Sequence, residues 1–124
     1  MESVDHTQCD GGITRAFEVL GKRWNGVILG TLAGGPAGFS ELRRGIGGIT
    51  DSVLSDRLTE LSAIGLVART ITDARPPRVQ YELTESGHAV VPALHALATW
   101  AGAHLTQELC ESQAADAPAP ATAA

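Results

Sequence analysis

The chain has 124 residues, 44% of them apolar, and a formal net charge of −5 at pH 7. That length builds one domain with a core of its own and is short for two. There is no run of about eighteen apolar residues to cross a bilayer, and residues 1–10 are polar and acidic where a signal peptide needs a basic start and an apolar stretch, so a cytoplasmic chain is expected, with no membrane among its partners.

Residues 1–11 lack a periodic apolar pattern and read as a mobile arm. A helix over 13–20 follows, with Ile13, Phe17 and Leu20 lining one face, and Gly21 ends it. A second helix over 23–32 sets Trp24, Val27, Ile28 and Leu32 on one side before Gly34, Gly35 and Pro36 stop it. Ser40 is placed to cap a short helix over 41–46, whose Leu42 and Ile46 are four apart while Arg43 and Arg44 point away. After Gly47 and Gly48, Thr50 caps a longer helix that runs to Gly65. Asp51 in its first turn suits the positive helix end, and Leu54, Leu58 and Leu61 repeat at the helical period.

Beyond Gly65 the period changes. Residues 66–72 are β-rich and residues 79–83 alternate, so two strands are expected, joined by a stiff loop over 73–78 that holds Pro76 and Pro77 and exposes Arg75 and Arg78. Thr84 caps a last helix over 85–109 with Val90, Leu94, Leu97, Ala101 and Leu105 on one stripe, broadened by Val91, Ala98 and Trp100. A stripe that wide calls for a partner. Residues 110–124 are mostly Ala, Pro and small polar side chains, which cannot bury a core and are expected to be disordered.

This order is that of a mainly α winged helix-turn-helix domain over 12–109, with a small β-hairpin wing and an added C-terminal helix. In such a domain the Thr50-capped helix buries its leucines and turns Ser52, Ser55, Asp56 and Thr59 outward, where small polar groups approach base edges in a major groove of double-stranded DNA. Arg57 lies at the flank, able to reach a phosphate or a guanine, or to pair with Glu60 or Asp56. The positive helix end at Thr50 can hold a phosphate, and the loop with Arg75 and Arg78 extends to the adjacent minor groove. The charge distribution agrees with this placing. All nine basic residues lie between positions 15 and 78 beside six acids, whereas the flanking segments carry eight acids and no Lys or Arg.

At these residues the chain closely resembles the HxlR-type family of bacterial regulators, relatives of the MarR group. The matching stretches are Gly21-Lys22-Arg23-Trp24 with Ile28-Leu29, Gly38-Phe39-Ser40-Glu41-Leu42-Arg43-Arg44, Ile49-Thr50 leading to Leu54, Arg57-Leu58 and Leu61, Gly65-Leu66-Val67-Ala68-Arg69, Pro77 through Thr84 with Gly87, and Trp100. The resemblance implies a homodimer joined through the first and last helices, for which Ile13, Phe17, Leu94, Leu97, Trp100, Ala101 and Leu105 are candidates. It also implies a pseudo-palindromic operator with half-sites about 34 Å apart, and usually repression, sometimes activation, of a nearby promoter. Some members sense oxidants or electrophiles through an early cysteine, which makes a bridge from Cys9 to Cys110 of the partner subunit conceivable. Here Asp10 stands where the family commonly has proline, and its carboxylate disfavours a thiolate at Cys9. Gly38 stands where the family often has arginine, which removes one possible phosphate contact.

Other readings have less behind them. His6 and Cys9 with the scattered His88, His95 and His104 do not make a tetrahedral metal set, and no cofactor motif, nucleophile elbow or acid/base pair is present to support an enzyme. A winged helix that binds only protein is the competing class, favoured by the acidic total. A regulator of the same fold that answers to a small molecule or an oxidant is compatible with DNA binding, and nothing in the sequence names the effector.

Overall fold

The computed structural model describes the backbone of residues 5–105 and the side chains of residues 11–105. Its elements run α1 (Asp5–Leu20), α2 (Asn25–Leu32), α3 (Phe39–Ile46), α4 (Asp51–Ala63), β1 (Val67–Ile71), β2 (Val79–Leu83) and α5 (Glu85–His104). The core is aliphatic. Ile28, Leu29 and Leu32 of α2 meet Leu42 of α3, Leu54, Leu58 and Leu61 of α4, and Val67 and Leu83 from the paired strands, with Ile49 closing the turn before α4. Each such burial contributes roughly 1.5–3 kcal/mol.

The ends of α4 follow from its sequence. Thr50 Oγ1 accepts the Val53 N–H at 3.2 Å at the start. At the other end Gly65 takes a left-handed φ of 86°, the Gly65 N–H donates to Ser62 O at 3.1 Å and the Leu66 N–H to Leu61 O at 3.0 Å, a Schellman ending that turns the chain into β1. The expected helix and its stop at Gly65 are therefore both present.

Three boundaries differ from expectation. First, α1 begins at Asp5, not 13, so the segment read as an arm is helical from residue 5. Second, α2 starts at Asn25 because Trp24 adopts a left-handed φ of 84°, and the helix buries Asn25, Ile28, Leu29 and Leu32 while Val27 stays exposed. Third, α3 starts at Phe39. The residue before it, Gly38, donates its N–H to Glu41 Oε1 at 2.7 Å, so Glu41 and not the Ser40 hydroxyl caps that end.

β1 and β2 pair antiparallel, Val67 opposite Leu83 and Ile71 opposite Val79. A third short piece joins them: the Ala37 N–H donates to Tyr81 O at 3.0 Å and the Tyr81 N–H to Ala37 O at 2.8 Å. The sheet thus ties the chain before α3 to the wing. Helix α5 is set on this sheet by Thr84, whose N–H donates to Leu66 O at 3.0 Å, whose hydroxyl donates to Gly65 O at 2.6 Å, and whose Oγ1 accepts the Gly87 N–H at 3.1 Å.

Along α5 the apolar stripe divides. Val90, Val91 and Leu94 pack on the chain's own core, Leu94 against α2 at Gly26, whereas Leu97, Trp100 and Leu105 are exposed. Residues 106–109, expected to extend this helix, and the 110–124 tail lie outside the described residues.

Candidate nucleic-acid interface

The polar face of α4 is the centre of the site. With Leu54, Leu58 and Leu61 buried, Ser52, Ser55, Asp56 and Thr59 are all exposed on the other side, as is the capping Thr50. The turn that sets the angle between α3 and α4 needs left-handed backbone at two consecutive residues, φ 74° at Gly47 and 76° at Gly48, which glycine supplies without a Cβ clash. The Trp24 indole lies against Gly48, and the Arg23 guanidinium sits 4.9 Å from that ring. Across the same turn Arg43 Nη1 donates to Asp51 Oδ1 at 3.0 Å, linking α3 to the first turn of α4.

On one side of α4 the sheet forms a recess of about 370 Å³ lined by Ser55, Leu58, Thr59, Ser62, Arg69 and Tyr81. The sheet face that is core at Val67 and Leu83 becomes the floor of this recess at the cross-strand pair Arg69 and Tyr81, and is bare at Ile71. A second recess of about 350 Å³ between α3 and β2 brings Arg44 and Arg78 to one rim, beside Ser40. Arg75 and Arg78 are both exposed on the wing loop.

Ion pairing separates the arginines. Among the described residues Arg43 pairs with Asp51 and Arg57 with Glu60, while Arg44, Arg69, Arg75 and Arg78 make no salt bridge. Arg44 lies on α3 and the other three on the wing, with Arg69 beside Ser55 and Thr59 of α4 and Arg44 and Arg78 at the recess between α3 and β2. Arg57 is the exception within the expected set: its Nη2 donates to Glu60 Oε2 at 3.0 Å, and only 21% of its side chain is exposed. A phosphate would have to draw it from that pair.

Sequence reasoning missed Arg69, Ser62 and Thr72. Strict alternation from Val67 through Arg69 to Ile71 would have placed Arg69 on the sheet face turned to α4. The Thr72 hydroxyl accepts N–H groups of the wing loop, for which the sequence carries no signal.

The expected dimerisation residues fall into two groups. Ile13, Phe17, Leu97, Trp100 and Leu105 are exposed apolar side chains, whereas Leu94 and Ala101 are half-buried within the chain itself. Cys9 lies on α1 in a stretch whose side chains fall outside the described residues, as does all of Cys110.

Comparison with known proteins places this arrangement. The family model for an HxlR-like helix-turn-helix matches residues 19–109. YkvN of Bacillus subtilis strain 168, described as an uncharacterized HTH-type transcriptional regulator, is 42% identical over 96 residues, 77% of this chain and 81% of its own. The reduced form of the transcriptional regulator YodB from B. subtilis superposes with a TM-score of 0.70 at 36% identity, covering 76% of this chain and 92% of that one. The redox regulator HypR in its oxidized form gives 0.71 at 30% identity, covering 77% and 98%. The matched segment runs from the end of α1 through the helix-turn-helix, the wing and α5, and this chain belongs to the HxlR-like helix-turn-helix family of DNA-binding transcriptional regulators.

Proposed function

We propose that the protein acts as a homodimer that binds a pseudo-palindromic operator and represses the adjacent promoter. The observation that carries the DNA-facing surface is that four exposed arginines, Arg44, Arg69, Arg75 and Arg78, make no salt bridge among the described residues and lie on α3 and the wing, the elements that flank α4 in the chain. In this reading Ser52, Ser55, Asp56 and Thr59 meet base edges in the major groove. Thr50 and Arg43 lie at the phosphates beside the start of α4, Arg44 and Arg78 flank one phosphate run, and Arg75 enters the minor groove. Arg57 acts through the placing of α4, since it is paired with Glu60 and mostly buried, whereas Arg43, though paired with Asp51, stays exposed.

The test is genome-wide mapping of bound DNA followed by binding of a recovered fragment across a salt series. Affinity falls steeply with salt as phosphate counterions are released. Absence of salt-dependent binding would leave the protein-only winged helix, for which the net charge of −5 is the argument. Reporter output with and without the protein decides repression.

A second reading concerns the signal. Similar structures include YodB in a reduced form and HypR, a redox regulator, in an oxidized form. By that likeness we propose Cys9 and Cys110 as the thiols that an oxidant joins between subunits, two thiols losing two electrons and two protons to form one disulfide.

A further inference from the structure

Between Asp73 and Arg78 the chain has only four amide hydrogens, because Pro76 and Pro77 carry none. Two of the four, those of Ala74 and Arg78, donate to one acceptor, Thr72 Oγ1, at 3.3 and 3.2 Å. The Thr72 N–H in turn donates to Arg78 O at 2.8 Å. Thr72 and Arg78 follow the Ile71 and Val79 pair at the end of the ladder. In a regular hydrogen-bonded antiparallel pair the Arg78 N–H would go to the Thr72 carbonyl. Here the side-chain oxygen takes its place, and the same oxygen pins the loop at Ala74.

We propose that Thr72 is a positioning residue for DNA binding, its hydroxyl fixing where the wing presents Arg75 and Arg78. Arg78 supplies one of the two amides bound to that oxygen, and Arg75 directly follows the residue that supplies the other. A hydroxyl has two acceptor lone pairs, and both are engaged. Valine has the same shape and the same β-branch and accepts nothing, so Thr72→Val removes the two bonds while leaving strand propensity intact. Without the hydroxyl the Arg78 N–H can return only to the Thr72 carbonyl, as in a regular pair, which moves Arg78 and releases the loop at Ala74. This inference rests on the wing meeting DNA, and the experiment separates the two claims.

The full chain and its T72V, T72S, T72A, R75A and R78A variants are titrated against one operator fragment by fluorescence anisotropy across a potassium chloride series, with thermal melts alongside. T72V and T72A are expected to lose about tenfold in affinity and to flatten the salt dependence by about one phosphate contact, and T72S to restore both. Melting temperatures are expected to stay close to the parent, because Thr72 lies outside the core. A hydroxyl with only a general structural role would lower the melting temperature and leave the salt slope alone, and that pattern overturns the proposal. So does T72V binding as tightly as the parent while R75A or R78A weakens, or T72S binding as poorly as T72V. If neither R75A nor R78A changes affinity, the wing does not touch DNA and the proposal falls with that reading.

Discussion

Arg57 and Glu60 are joined on one face of α4 by an Nη2 to Oε2 contact of 3.0 Å, and the other oxygen of the same carboxylate takes Lys22 Nζ, from the turn after α1, at 3.0 Å. One acid therefore ties the recognition helix to the α1–α2 connection. With the Arg57 Nε buried and without a hydrogen-bond partner, the guanidinium depends on Glu60 for its charge compensation. Glu60→Ala is expected to lower stability by about 1 kcal/mol, in the range for partly exposed pairs, read by denaturant titration. Arg57→Ala is expected to leave the salt slope of operator binding unchanged. A slope that drops by about one in that variant would show that Arg57 leaves Glu60 for a phosphate.

The wing and the recognition helix are expected to fail differently. Arg75→Ala should weaken binding to operator and random DNA by a similar factor, about tenfold, because a backbone or groove-potential contact carries little sequence information. Ser55→Ala and Thr59→Ala should change which base is preferred at one or two positions, with smaller loss on random DNA. Selection of bound sequences from a random pool by each variant measures this. An unchanged preference for both Ser55 and Thr59 variants would place the base-reading face elsewhere on α4.

Arg69 extends the same logic to a residue that strand alternation could have singled out. Its exposed side chain lies beside Ser55, Thr59 and Ser62 in the recess between α4 and the sheet. If α4 reads one groove and the wing meets the next, as proposed, the strand between them crosses this recess. Arg69→Ala is expected to lose several-fold in affinity with a lower salt slope, measured on the same operator.

What the sequence made legible was periodic or local. Leu54, Leu58 and Leu61 repeat over about two turns, and the caps Thr50 and Thr84 act within three residues of themselves. Helix α2 is apolar on nearly every side, so period alone could not choose between Val27 and Leu29. Packing across the fold settles it, with Leu29 fully buried in the core and Val27 left half exposed. The start of α1 was hidden because Gly11 and Gly12 are poor helix formers that the structure nonetheless includes. The Lys22, Arg57 and Glu60 cluster and the Thr72 loop bonds arise from contacts across the fold, or from a side chain substituting for backbone, and neither leaves a periodic trace.

Gly87 shows a constraint of the steric kind. A Cβ there would run into the Leu66 carbonyl and press on Leu83 Cδ2 at 3.1 Å, and that carbonyl is already fixed by the Thr84 N–H. Since backbone cannot step aside as a flexible side chain does, Gly87→Ala is expected to cost about 2 kcal/mol, lowering the melting temperature by on the order of 10 °C. A melt within a degree or two of the parent would mean that α5 shifts on the sheet at little cost.

The proposed dimer rests on apolar surface that this chain leaves bare. Ile13 is 61% exposed and Phe17 49% on α1, and Trp100 is 52% exposed on α5, beyond the point where Val90, Val91 and Leu94 have turned into the chain's own core. Covering the exposed half of such side chains contributes roughly 1 kcal/mol each, so a partner that covers several of them on both subunits gains a sizeable share of a domain's stability. A carboxylate placed among them would be desolvated without a counter-charge. Phe17→Glu and Trp100→Glu are therefore expected to give a monomer by light scattering. Affinity for a two-half-site operator should fall by a hundredfold or more, with single half-site binding within a few-fold of the parent. Val27→Glu, at an exposed apolar residue on α2, should leave the mass unchanged and serves as the control. If Phe17→Glu and Trp100→Glu both kept the parent's mass, the subunits would meet through another surface, and the spacing of their recognition helices would have to be derived from that surface instead.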